Sequence, residues 1–200
     1  MGRMQRGFTL LELMVVLAIA GVLAAIAIPA MGNFMRNSRV TSAANDVMAA
    51  LHFTRSEAIK RRRPVTLCTS TNAQAANPTC ANSPLLTGWI AFVDLNQSGG
   101  VDAGEAVLLQ HEAMHPLIAA RSSLPQFRVT YLMNGFALNT SRAQLVLCDD
   151  RGNVPSAGEL SSARGILISV TGRAGVTRDL GEIQGLIDDI GVDFAGCDAA

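Results

Sequence analysis

The chain lacks the signatures on which enzymes of its size are built. There is no GxSxG elbow, no phosphate-cradling GxxxxGK[ST] loop and no HExxH helix. Serines, histidines and aspartates are present, but nothing in their spacing draws them together, so the reading is of a non-enzyme with no cofactor. Histidines number three. His111 and His115 have the four-residue spacing of a helical metal pair, but Glu112 lies between them, Pro116 follows and no third ligand is evident. No two of the four cysteines form a CxxC pair, which argues against zinc and thioredoxin-type chemistry. Charge of one sign is missing as well: 16 basic residues balance 16 acidic ones, so global charge points to no nucleic-acid partner. Locally the charge is uneven. Arg55, Lys60, Arg61, Arg62 and Arg63 cluster, and no Lys or Arg follows Arg178, while Asp179, Glu182, Asp188, Asp189, Asp193 and Asp198 do.

The most informative absence is between Phe8 and Arg36, where Glu12 is the only ionisable side chain. The run FTLLELMVVLAIAGVLAAIAIP is long enough to cross a hydrocarbon core of ~30 Å as a helix rising ~1.5 Å per residue. Arg3 and Arg6 precede it with no matching cluster just after it, which places the N-terminus in the cytoplasm and the rest of the chain beyond the inner membrane as a single-pass protein. A secretory signal peptide is the competing reading, but a carboxylate at the start of the apolar core is foreign to one. An ionised side chain at the centre of a membrane helix costs ~2.5–3.5 kcal/mol, less near an end, and a charge kept at that cost has a partner. A neighbouring α-amino group is the obvious one.

Gly7-Phe8-Thr9-Leu10-Leu11-Glu12 resembles the prepilin cleavage motif. The resemblance implies cleavage after Gly7 by prepilin peptidase, N-methylation of Phe8, and pairing of Glu12 with the Phe8 amine of an adjacent subunit. Pro29 matches the helix-kinking proline of that family. Beyond Met31 helical periodicity persists while polarity rises: Val40, Ala43, Ala44, Val47, Met48, Leu51 and Ala58 follow i, i+3, i+4 spacing, and Pro64 limits the helix to about Arg62. The segment from Leu51 to Arg61, with Pro64-Val65-Thr66-Leu67-Cys68, is similar to the "ARSEAIKR…PVTLC" stretch of the GspH/FimT pseudopilins, Thr54 standing where Ala is usual. Arg55 and Glu57 read physically as surface charge.

The division expected is a leader at 1–7, a transmembrane helix at 8–30, its amphipathic continuation at 31–63 and a periplasmic β-rich domain at 64–200. The fold expected is α+β, the type IV pilin fold, with the long N-terminal helix packed on antiparallel sheets. Strands are expected at Val65–Thr69, Gly88–Asp94, Ala106–His111, Gln126–Tyr131, Gln144–Cys148, Gly165–Thr171 and Val176–Leu180. An even cysteine count beyond a membrane anchor fits two disulfides; Cys68–Cys80 would close a short polar loop and Cys148–Cys197 would pin the tail, with the other two pairings and free thiols left open.

Two segments invite chemistry. In Asp94–Glu105, Asp94, Asn96 and Ser98 fall at positions 1, 3 and 5 of a calcium loop, Gly99 at 6, Asp102 at 9 and Glu105 at 12. The same residues make a polar turn, since Asp and Asn bond local backbone and Gly supplies positive φ, and no EF-hand helices flank it. The segment also matches the "GWxxFxDxNxxGxxDxGE" hairpin of the GspH/FimT family. The second segment is Gly172-Arg173 with Arg178. FimT-type proteins that bind DNA carry Gly-Arg-x-Arg; here Gly175 occupies the second Arg position and Arg178 lies three residues later. The resemblance thus implies a minor pseudopilin, like the H component of the type II secretion system or its type IV pilus counterpart. Its partners would be other pilins through the N-terminal helix, and its alternative a FimT-like DNA-binding minor pilin.

Overall fold

A computed structural model describes residues 9–81, 88–124, 127–138, 143–156, 160–190 and 197, with the side chains of Pro29 and Ala30 outside that set. Helix α1, Leu10–Arg61, runs through Pro29 without interruption. The chain divides into two compact units at Ser38/Arg39. In the first, the described side chains from Leu10 to Ile28 are exposed. That stretch is apolar enough, and α1 long enough, to cross a membrane.

In the second unit α1 buries Val40, Ala43, Ala44, Val47, Ala50, Leu51, Thr54 and Ala58, one stripe at helical spacing. Thr54 fits there because its hydroxyl donates to the Ala50 carbonyl one turn back, at 2.6 Å. The helix stops at Arg61. Arg62 takes φ +53°, its N–H donates to Ile59 O, and the Arg63 N–H reaches Ala58 O, a Schellman closure completed by Pro64.

Among the described residues eight strands follow: β1 Val65–Ser70, β2 Gly88–Val93, β3 Val107–His111, β4 Ala119–Ser122, β5 Val129–Tyr131, β6 Ala143–Cys148, β7 Leu160–Ile168 and β8 Ala174–Asp179, then helix α2, Leu180–Ile190. They form two antiparallel four-stranded sheets, β3-β2-β1-β5 and β4-β6-β7-β8. Alternation along each strand decides what lies where. Val65 and Leu67 of β1, and Ala143, Leu145 and Leu147 of β6, join the central core with α1. Cys68, on the opposite face of β1, packs with Ile90 and Phe92. Val146 and Cys148, on the opposite face of β6, pack against Ile183 and Leu186 of α2. Cys68 is bonded to Cys80 and Cys148 to Cys197, so each disulfide closes the outer face of one sheet.

Several boundaries differ from expectation, three of them for reasons visible in the backbone. β5 starts at Val129 because Phe127 turns the chain with φ +41°. β7 runs from Leu160 to Ile168 and ends before Thr171, since Gly172 makes a tight turn at φ +77°. β8 yields to α2 at Leu180, where the Asp179 carboxylate caps the Glu182 N–H at 2.8 Å.

Candidate functional site

The N-terminal motif is described from Thr9 onward; Gly7 and Phe8, and with them the cleavage and methylation positions, lie outside the described residues. Thr9 caps α1. Its hydroxyl accepts from the Glu12 N–H at 3.2 Å and its carbonyl from the Leu13 N–H at 3.2 Å. Glu12 therefore stands in the first turn, where a carboxylate faces the positive end of the helix dipole and three residues separate it from a threonine cap. That is a local reason for Glu12, independent of any partner.

The Asp94–Glu105 hairpin is held together by its own polar groups. Fully buried Asp94 accepts from Thr66 Oγ1 at 2.7 Å and from the Gly99 N–H at 3.0 Å, both on Oδ2. Asp94 Oδ1 has no hydrogen-bond partner among the described residues. Asp102 Oδ2 accepts from Asn96 Nδ2 at 2.9 Å and Ser98 Oγ at 2.7 Å, and these two bonds, Asn96 first, hold the Asp102 carboxyl below its usual range. A depressed carboxylate stabilises the loop at neutral pH and loses that contribution as pH falls through the depressed value. Glu105 is turned onto backbone, accepting from the N–H of Leu95 at 2.8 Å and of Asp102 at 3.0 Å. Gly99 sits at φ +73° beneath Arg128; a Cβ there would meet the Arg128 side chain at 2.5 Å. Among the described residues no group of three or more His, Cys, Asp or Glu is placed to hold a metal.

The two arginines do not come together. Five residues on an extended strand are about 16 Å, and odd spacing puts them on opposite faces. Thr177, on the Arg173 face, neighbours Gly165 beside Ile183 and Leu186, so this is the face that α2 covers. Asp189 of α2 accepts from Gln144 on the same face. Arg173 is exposed, at the β7–β8 turn. Arg178 is half-buried on the α1 side beside Arg164. Arg164 donates to the carbonyls of Ser161, Ser162 and Ala163 and to Thr41 Oγ1 of α1. Burial, then the charges of Arg178 and Arg151, pull its pKa down to about 10.

Arg55, read from sequence as surface charge, is half-buried and works harder than that. Its Nε donates to Gly135 O at 2.9 Å and its Nη2 to Thr171 O at 3.2 Å. One guanidinium thus fastens the β5–β6 turn and the β7–β8 turn to the end of α1. Beneath it, burial pushes the Tyr131 phenol up to about 12, opposed by the Arg55 charge. No motif marks this role; the guanidinium finds its carbonyls 80 and 116 residues away in the chain. Neither His111 nor His115 is on a helix: His111 ends β3 and stacks on Trp89, with ring centroids 3.9 Å apart.

Comparison with known proteins adds the lineage. A family model described as type II transport protein GspH matches residues 43–172, and one described as the prokaryotic N-terminal methylation motif matches residues 2–28. A fimbrial protein of Pseudomonas aeruginosa is 53% identical over 45 residues, 22% of this chain and 29% of its own length. The type IV major fimbrial protein FimA of Dichelobacter nodosus is 56% identical over 41 residues, 20% of this chain and 26% of its own. The chain therefore spans under a third of the length of the curated relatives it matches. The crystal structure of the type IV minor pilin FimU of Pseudomonas aeruginosa superposes with a TM-score of 0.52 at 20% identity, covering 72% of this chain and 91% of that one, which shows a shared fold.

Proposed function

Because this chain belongs to the GspH family of type II transport proteins, we propose that its work as a minor pseudopilin or pilin subunit is done in a filament built on the inner membrane. The observation that carries this is the join between a bare apolar helix, with the methylation motif at its head, and a domain that packs on the later turns of that same helix. In this reading the chain crosses the inner membrane once, with its globular domain in the periplasm. Prepilin peptidase removes residues 1–7, Phe8 becomes the methylated N-terminus, and the helix bundles with those of other pilins. Glu12 neutralises the Phe8 amine of a neighbour while its charge also complements the positive end of its own helix. The role is structural and no bond-making chemistry is assigned.

The test is fractionation. Cells carrying a tagged chain are sheared, and the filament fraction is probed against the membrane fraction. The tag should appear in both, in small amount in the filaments. Confinement to the soluble fraction would contradict the proposal.

We propose that the hairpin holds its shape without calcium, a reading supported by the bonds of Asp102 and Glu105 within the loop. Millimolar CaCl2 is therefore expected to leave the unfolding temperature unchanged. A rise abolished by Asp94→Asn would instead mark Asp94 Oδ1 as a ligand.

A DNA-binding role draws on Arg173 and Arg178, and their opposite faces and the acidic α2 weigh against it. A gel shift of the full chain in detergent with duplex DNA at low salt should show no complex lost on Arg173→Ala with Arg178→Ala. Such a salt-dependent complex would favour DNA uptake.

A further inference from the structure

The two turns that Arg55 fastens form a rigid surface that the filament reading leaves unused. Gly135 N–H donates to Leu132 O and Gly172 N–H to Ser169 O, each at 2.8 Å, and the Ala137 N–H joins one turn to the other through Val170 O at 3.1 Å. A Cβ on Gly135 would sit 2.9 Å from Ile59 Cδ1, so the last turn of α1 belongs to the same surface. Around these contacts four large apolar side chains face solvent: Ile59 at 47%, Met133 at 58%, Phe136 at 47% and Val170 at 46%. Their rim is basic. Arg62 and Arg63 follow Ile59 at the end of α1, Arg173 follows the Gly172 that abuts Gly135, and all three arginines are exposed. Glu57 is already taken up by Lys60 and Arg61. Exposed Met and Phe with arginines around them is the composition of an interface centre, and turns already fixed lose little entropy on docking.

The complementary surface is in the same molecule. Helix α2 contains no basic residue and exposes Glu182, Asp188 and Asp189. We propose that the Ile59/Met133/Phe136/Val170 surface docks on the acidic α2 face of a second copy of this chain. The contact is head-to-tail, so it leaves a free surface at each end and adds copies in line. It uses the globular unit alone, so it stands or falls separately from the filament reading. A nucleic acid would take the basic rim but leave the apolar centre unused.

The test is self-association of the full chain in detergent micelles, measured by sedimentation against protein concentration. Phe136→Asp should weaken it about tenfold or more, with unfolding temperature unchanged because Phe136 is half exposed. Arg62→Glu with Arg63→Glu should weaken it likewise, as should Asp188→Lys with Asp189→Lys, and mixing those two charge-reversed proteins should restore a complex. The proposal is overturned if the parent chain is monomeric throughout, if association persists in all three variants (the anchors alone then pair), if mixing restores nothing, or if duplex DNA binds and is lost on Phe136→Asp.

Discussion

Gly172→Ala should be among the most damaging single-methyl changes available in this protein. Gly172 lies at φ +77°, where a side chain costs roughly 1–2 kcal/mol, and the added Cβ would also run into the Gly135 carbonyl oxygen. That carbonyl is the acceptor of Arg55 Nε. Relieving the clash means parting the two turns and loosening the guanidinium that holds them, so a total loss of ~3–5 kcal/mol is expected. For a chain of this size that is a fall of roughly 10 °C in unfolding temperature. The control is Gly175→Ala, three residues on, where a Cβ would meet nothing within 4 Å. Unfolding followed by Trp89 fluorescence should separate the two variants clearly; equal midpoints would mean that the turns are not locked together.

The second large effect is on assembly. Glu12→Gln keeps a polar group in the first turn of α1, and Thr9 still caps the backbone N–H of that position, but the charge is gone. If Glu12 mattered only to its own helix, the change would cost a few tenths of a kcal/mol at most. If it neutralises a neighbour's amine in a low-dielectric bundle, losing the charge leaves that amine unpaired, at a cost of several kcal/mol per contact. Leader removal should proceed normally while incorporation into sheared filaments drops tenfold or more. Parent-level incorporation would leave Glu12 only its interaction with the dipole of its own helix.

The sequence was most legible where one-dimensional pattern maps directly onto physics. The spacing of Val40, Ala43, Ala44, Val47 and Leu51 gives the buried stripe of α1, and Pro64 gives its end to within a residue. The β-rich domain after it follows from turn residues such as Asn134-Gly135. Harder to read were the short and the composite. Strand β4 is four residues between two prolines, too little for any period to show. Helix α2 lies in the acidic stretch after Arg178, where the charges draw attention away from Leu180, Ile183, Leu186, Ile187 and Ile190 at helical spacing behind an Asp179–Glu182 cap. Arg55 could not have been read at all, because its acceptors are backbone carbonyls from distant turns. The hairpin shows the limit from the other side. Asp94–Glu105 has ligand spacing, and that spacing by itself does not show that Glu105 accepts from the N–H of Leu95 and Asp102.

The identity of the mature N-terminus tests the central claim most directly. Intact-mass and N-terminal fragment spectra of the chain recovered from sheared filaments should show a protein beginning at Phe8, carrying one added methyl group, with residues 8–30 still attached. A chain that keeps residues 1–7, or one cut beyond the apolar run and released without its anchor, would contradict it.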